Sequence, residues 1–360
     1  MPLGIEPDRR HIARMASSFM PLGRPAAAVP RPLAISNWLL GVALLVFAMV
    51  VVGGITRLTE SGLSITRWDV VGGTLPPLSD SAWQAEFDAY RQSPQYQLVN
   101  RGMSLDEFKT IYFWEYIHRL LGRIIGLAFA LPLAWFALKR AIPRGYGVRL
   151  VMLLALGGLQ GAIGWWMVAS GLVDRPDVSH VRLAVHLLTA LLILGLLVWT
   201  ACDLRQPDAR RVRIPTGAIW ALSVLALQIL FGAYVAGLDA GYAFNSWPRM
   251  GDAWFPAGAP MLEPAVRNLV DNPLVVQFVH RWLAFVVLAV LALLARAAWR
   301  AGHKDHAALL VAACILQIQL GIATLVSGVE LWLGVAHQAG AALLLVTTVL
   351  TAHRLGARAG

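Results

Sequence analysis

A carboxylate, an imidazole and two guanidiniums fall within ten residues at Trp114-Glu115-Tyr116-Ile117-His118-Arg119-Leu120-Leu121-Gly122-Arg123. The stretch opens an apolar run that continues to about Leu138. Glu115 and His118 are three apart, so they share one face of a helix. Ionisable groups at membrane depth are costly and mark a site by default. The chain returns to this pattern at Val276-Gln277-Phe278-Val279-His280-Arg281-Trp282, with an amide where the carboxylate stood.

Nine histidines occur. His11, His180, His303, His306 and His353 fall in tails, loops or at a helix end and receive no role. His118, His186, His280 and His337 fall one each in the second, fourth, sixth and eighth apolar segments, always near the same end. A lone helical histidine is more often a hydrogen-bonded core residue than a ligand. Four at one depth, two per half, reverse that reading. Two facing imidazoles inside an apolar four-helix bundle suit a six-coordinate haem iron. Zinc would want a third or fourth protein ligand, and the second half offers none at that depth. A site that moves protons or stabilises positive charge needs a carboxylate; an electron shuttle does not. The expected catalytic set is therefore Glu115, His118 and His186, with a resident redox cofactor between His280 and His337. The competing reading is that Glu115 merely pairs with an arginine. Guanidinium matches a carboxylate bidentately, which makes Arg57, Arg67, Arg182 and Arg249 candidates for haem propionates. Arg119, Arg123 and Arg281 lie deeper and would pair with propionates, Glu115 or helix-end carbonyls. Small residues let a flat macrocycle approach the backbone, and Gly157, Gly158, Gly161, Gly164, Gly321 and Gly340 could serve.

The elements that must position these groups are membrane spans. Of 360 residues, 58% are hydrophobic and 14% charged, against about a quarter charged in soluble domains. Eight apolar segments, 38–56, 116–138, 150–168, 183–202, 216–237, 275–296, 307–327 and 332–352, are each long enough for about 30 Å of hydrocarbon. With the N-terminus inside, 18 of the 30 Lys and Arg residues fall in inner segments and nine in outer loops, which puts both termini in the cytoplasm. That bias also accounts for the net charge of +10. No basic stripe with stacking aromatics suggests nucleic acid.

The expected organisation is a tail (1–37), an N-terminal four-helix bundle (38–203) with a long outer loop (57–115), a linker (204–214), a C-terminal four-helix bundle (215–353) and a short tail (354–360). Arg9-Arg10 resembles an export signal only superficially, because the following run is too long for a signal core and lacks a cleavage signal. Segments 1–4 match segments 5–8. Gln160, Gly164, Ser170 and Gly171 return as Gln317, Gly321, Ser327 and Gly328. Each half has an even number of spans, so the two halves are parallel repeats about a pseudo-two-fold along the membrane normal. This counts against inverted-repeat transporters. In the outer loop, Ser81 with Gln84 and Ser104 with Glu107 fit capping boxes. Trp83, Phe87 and Tyr90 line a short helix expected along the membrane surface. The loop 238–274, with Pro248, Pro256, Pro260 and Pro264, reads as irregular. Cys202 and Cys314 read as buried small hydrophobes.

These residues together resemble the haem A synthases, in particular the mitochondrial and proteobacterial type without paired loop cysteines. The resemblance runs from about residue 38 through nearly the whole chain. It includes Gly53-Gly54-Ile55-Thr56-Arg57-Leu58-Thr59-Glu60-Ser61-Gly62-Leu63-Ser64, Leu75-Pro76-Pro77-Leu78, Glu115 with His118-Arg119, and Arg182-Leu183-Ala184 with His186. It also includes Ala236-Gly237-Leu238-Asp239-Ala240-Gly241, Gln277 with His280-Arg281, and His337-Gln338-Ala339-Gly340. The resemblance implies oxidation of the C8 methyl of haem O to a formyl group through a hydroxymethyl intermediate, giving haem A for cytochrome c oxidase. It implies a bis-histidine haem b between His280 and His337, and substrate haem O between His118 and His186 beside Glu115. Implied partners are the bilayer of a cell or mitochondrial inner membrane, an electron donor of ferredoxin or quinol type, and a haem O synthase. The chain departs from relatives that carry cysteine pairs in the outer loops, which excludes a thiol step. It also has Val279 where members of this branch often have an acidic residue. The alternative is a di-haem b-type, quinol-linked electron-transfer cytochrome. A haem transporter is a third reading, disfavoured by fixed double-histidine ligation.

Overall fold

The computed structural model describes residues 30–66, 74–173 and 175–358. Most of the tail 1–37, with Arg9, Arg10 and His11, and also Arg67, Trp68 and the last two residues lie outside the described residues. Among those described, the chain is all-α with no strand, apart from one isolated bridge between Met250 and Ala253. Eight helices are long and apolar enough to cross a membrane, as the eight apolar segments predict. They are α1 (Pro32–Leu58), α2 (Leu105–Leu138), α3 (Gly147–Val168), α4 (His180–Asp203), α5 (Thr216–Gly237), α6 (Pro273–Arg300), α7 (Lys304–Val326) and α8 (Leu331–Arg358).

The helices overrun the apolar segments where polar caps start them early. Expected at 116, α2 begins at Leu105. Ser104 Oγ accepts from the Glu107 N–H, and Glu107 Oε2 accepts from the Ser104 N–H at 2.8 Å. This is the predicted capping box. Glu115 therefore lies three turns inside a helix rather than at its mouth. The other box is corrected. Ser79, not Ser81, caps the helix Asp80–Tyr90 and accepts from Ala82 N–H at 3.2 Å. The helix starts two residues earlier than a Ser81 cap would give, and Asp80 in its first turn favours that end. Gln84 then turns to Asp88 Oδ1 at 3.0 Å instead of reaching back. The aromatic side of this helix is covered by protein. Phe87 and Tyr90 are buried against Phe108 of α2, with ring centres 5.1 and 5.2 Å apart. The loop before α6 is irregular as expected, with only the short turns Ala240–Tyr242, Ala265–Arg267 and Asn268–Asp271.

α1 packs on α2 and α4, and α5 packs on α6. Across the halves, α1 meets α8, α5 meets α4, and α4 meets α8 at the centre. α3 lies outside α2 and α4; α7 lies outside α6 and α8. One apolar core joins the two halves, from Leu39 and Val46 through Leu194 and Leu197 to Leu291 and Val349. Cys314 is buried, as read, while Cys202 is only half-buried. At the end carrying the linker, Asp203 is fully buried. It accepts from Arg149 Nη1 at 2.6 Å and Val212 N–H at 3.0 Å, and His353 Nε2 lies 3.0 Å away. A buried carboxylate is tolerable only with such partners. His353, given no role from sequence, is thus part of a clasp joining α3, α4, the linker and α8.

Candidate functional site

Each of the four histidines rests on the helix that precedes its own. Nδ1 of His186 on α4 lies 3.1 Å from Gln160 Nε2 on α3. Nδ1 of His280 on α6 lies 3.1 Å from Gln228 Nε2 on α5. Nδ1 of His337 on α8 lies 3.1 Å from Gln317 Nε2 on α7. In all three the same amide donates to the histidine's own carbonyl at 3.0 Å. His118 on α2 instead has Thr56 Oγ1 of α1 3.3 Å from its Nδ1.

A glycine seats every ring. A Cβ added at Gly53, Gly164, Gly232 or Gly321 would stand 3.2, 2.9, 3.0 or 2.8 Å from Cε1 of His118, His186, His280 or His337. This corrects the reading of Gly164 and Gly321 as flat ground for a macrocycle: an imidazole already occupies the space. Gly340 faces Gln317, and only Gly157, Gly158 and Gly161 have open space before them. The sequence reading missed the seats at Gly53 and Gly232, and the amide Gln228. Their signal was available in the repeat, since Gly53 and Gly232 stand at matching places before the two loop motifs.

One continuous cavity is lined by His118, His186, His280 and His337 together with Met49 and Gln228. The rings of His280 and His337 face each other with centres 6.4 Å apart and planes at 86°.

Glu115 is 3% exposed. Its carboxylate accepts from Ser64 Oγ and Ile65 N–H, both at 2.7 Å, and from Arg119 Nη2 at 2.6 Å and Nε at 3.0 Å. Arg119 Nη2 also donates to Ile65 O at 3.0 Å. The second half builds the same brace with an amide. Gln277 Nε2 donates to Phe244 O at 3.0 Å, and Arg281 Nη2 donates to Phe244 O at 2.8 Å and to Gln277 Oε1 at 3.2 Å. Glu115 is thus paired with Arg119, one turn from His118 on α2, while Gln277 and Arg281 help to line the cavity.

The other arginines are also engaged. Arg182 donates to Trp166 O at 2.7 Å and lies over the Trp166 ring, away from the cavity wall. Arg57 crosses to the other half, donating to Ala236 O at 2.7 Å and to Asp239 Oδ1 at 2.9 Å. Arg281 Nη1 donates to Ser246 O at 2.8 Å, and Arg249 stacks on Trp254. Glu60, at the left-handed turn after α1, has its carboxyl raised above the ordinary range. Burial is the main cause; Arg57 opposes it, and Asp177 and Asp239 add to it.

The model of the COX15-CtaA family, described as cytochrome oxidase assembly protein, matches residues 36–349. The chain is 56% identical over 340 residues to the haem A synthase of Rhizorhabdus wittichii, covering 93% of this chain and 97% of that protein. It is 52% identical to the haem A synthase of Sphingopyxis alaskensis, covering 92% and 95%, and 52% identical to that of Novosphingobium aromaticivorans, covering 91% and 96%. With the eight helices and the four seated histidines, these matches show that the chain belongs to the COX15-CtaA family of cytochrome oxidase assembly proteins.

Proposed function

We propose that this protein is a haem A synthase that oxidises the C8 methyl of haem O to a formyl group through a hydroxymethyl intermediate. The observation that carries the reading is the set of four imidazoles, two per half, turned into one cavity from seats of matching design. Residues 38–203 form the substrate half and 215–353 the haem b half, joined by 204–214 and related by a pseudo-two-fold along the membrane normal. The like contacts of Glu115–Arg119 and Gln277–Arg281 support that relation. Its proposed location is an inner membrane with both termini cytoplasmic, which the Lys and Arg distribution supports. An electron donor of ferredoxin or quinol type and a haem O synthase are its expected partners.

The residues fit the cofactor. Two metal–imidazole bonds of about 2 Å, plus the distance from each ring centre to its nitrogen, span roughly 6 Å, close to the 6.4 Å between His280 and His337. A ligating histidine normally donates its other N–H to an acceptor. Gln160, Gln228 and Gln317 each keep a buried Oε1 without a hydrogen-bond partner. Turning the amide to bring Oε1 to Nδ1–H supplies that acceptor and gives up the bond to the histidine's own carbonyl. Haem b held by His280 and His337 supplies one-electron chemistry. His118 and His186 bind the substrate porphyrin and orient it. Glu115 puts a negative charge one turn from His118 and ties the loop after α1 to the helix that carries it. Arg281 lines the cavity near the haem b side and holds the loop 244–249 over it.

The test is pigment extraction from membranes supplied with haem O, with haem A quantified by chromatography. Glu115→Gln, which copies the second half, is expected to keep haem O and lose haem A. No haem A from the native chain overturns the reading. The like seating of three histidines favours one rival, a di-haem electron carrier. That rival keeps both haems and yields no new porphyrin in the same assay.

A further inference from the structure

Three of the four imidazoles are held alike and the fourth is not. Gln160, Gln228 and Gln317 each bridge a ring nitrogen and a backbone carbonyl of the same histidine. Among the described residues, His118 has only the 3.3 Å contact to Thr56 Oγ1, a hydroxyl whose own proton goes to Val52 O at 2.8 Å. The residue matching Gln228 is Met49. Both stand four before the glycine that seats a ring. Seven residues beyond those glycines, Glu60 and Asp239 both take the left-handed turn at φ 52°. Met49 lines the same cavity, and a thioether has no hydrogen to donate and bends freely.

We propose that His118 is the exchangeable ligand of the substrate haem, the imidazole that lets go while His186 stays. The proposal rests on the reading that haem O binds between those two residues. A substrate porphyrin must arrive and leave, so a bond from iron to a protein nitrogen has to open. In that exchange the iron–Nε2 bond breaks, the electron pair stays on nitrogen, and no oxidation state changes. Swinging the His186 ring gives up its contact with Gln160. Swinging the His118 ring gives up one long contact to a hydroxyl, beside a flexible neighbour. Partners of this kind change the affinity of a ligating histidine by about 10- to 100-fold.

The experiment titrates the reduced, full-length protein, loaded with haem O, with carbon monoxide, which binds ferrous haem only where an axial position opens. Native protein is expected to bind it at one of its two haems. Met49→Gln, which installs the missing amide, is expected to weaken that binding about tenfold or more. Gln228→Met, the reciprocal exchange, is expected to open the second haem to carbon monoxide. Unchanged affinity in a Met49→Gln protein that keeps its haem overturns the proposal. Should Met49→Gln not accumulate, Gln228→Met decides alone: carbon monoxide at the second haem supports the proposal, and none overturns it. Haem content separates this from the functional reading. Full substrate-haem content in both His118→Ala and His186→Ala removes the placement of haem O itself, whatever carbon monoxide does.

Discussion

A methyl group at Gly321 would stand 2.8 Å from His337 Cε1, closer than packed carbons tolerate. The ring has to shift or the helices part, at a cost of about 1–3 kcal/mol. Gly321→Ala is therefore expected to lower bound haem b, measured per protein by its pyridine haemochrome. Gly164→Ala, with 2.9 Å to His186, should spare haem b and lower haem O binding alone. Glu115 matters twice at this scale, since its charge braces the fold and, in the proposed function, serves the chemistry. Removing one member of a buried ion pair leaves the other uncompensated, at about 3 kcal/mol or more. Glu115→Gln should thus lower the thermal unfolding midpoint, and Glu115→Gln with Arg119→Gln should restore much of it. If the double variant regains stability and still makes no haem A, the carboxylate is needed beyond its bracing of the loop. The residue types at these positions were legible in the sequence. Their partners were not, because Ser64 and Ile65 reach Glu115 from about fifty positions away.

Among the elements, α2 shows how a polar cap overrides an apolar boundary. The Ser104 and Glu107 box starts the helix eleven residues before the hydropathy does. Ser104→Ala should cost about 1 kcal/mol, read as a lower unfolding midpoint. At the helix Asp80–Tyr90, Ser79→Ala should destabilise and Ser81→Ala should not, because only Ser79 accepts from the first turn. Ser81 had a Gln three residues on, whereas Ser79 had only the N–H of Ala82 to accept from. Which one caps depends on backbone angles, extended at Ser79 (φ −133°, ψ 158°), and those follow from how the loop reaches α2. The aromatic stripe Phe87 and Tyr90 was equally legible as a stripe. That it covers α2 depends on the far end of the loop folding back.

Across the whole molecule, the polar ties between the halves differ in weight, as two of them show. Arg57 and Asp239 make an ion pair with side chains 16% and 47% exposed, worth at most about 1 kcal/mol. Asp203 is wholly buried and serves α3, the linker and α8 at once. Asp203→Ala should therefore destabilise by about 3–5 kcal/mol, in a denaturation series in detergent, while Asp239→Ala barely moves it. The haem spectra of the Asp203→Ala protein that does fold should be native, since the clasp lies far along α4 from His186. From the sequence alone came the eight spans, and with them the readings of a doubled chain and of four histidines at one depth. Those follow from apolarity and spacing, which are local properties of the chain. Only the tertiary structure decided that glutamines and glycines from the preceding helix seat the rings. It also decided that Arg119 and Arg281 hold loop carbonyls, and that Arg182 turns to Trp166. Each of these depends on which face of one helix lies within hydrogen-bond reach of another, and spacing along a single helix carries no record of that.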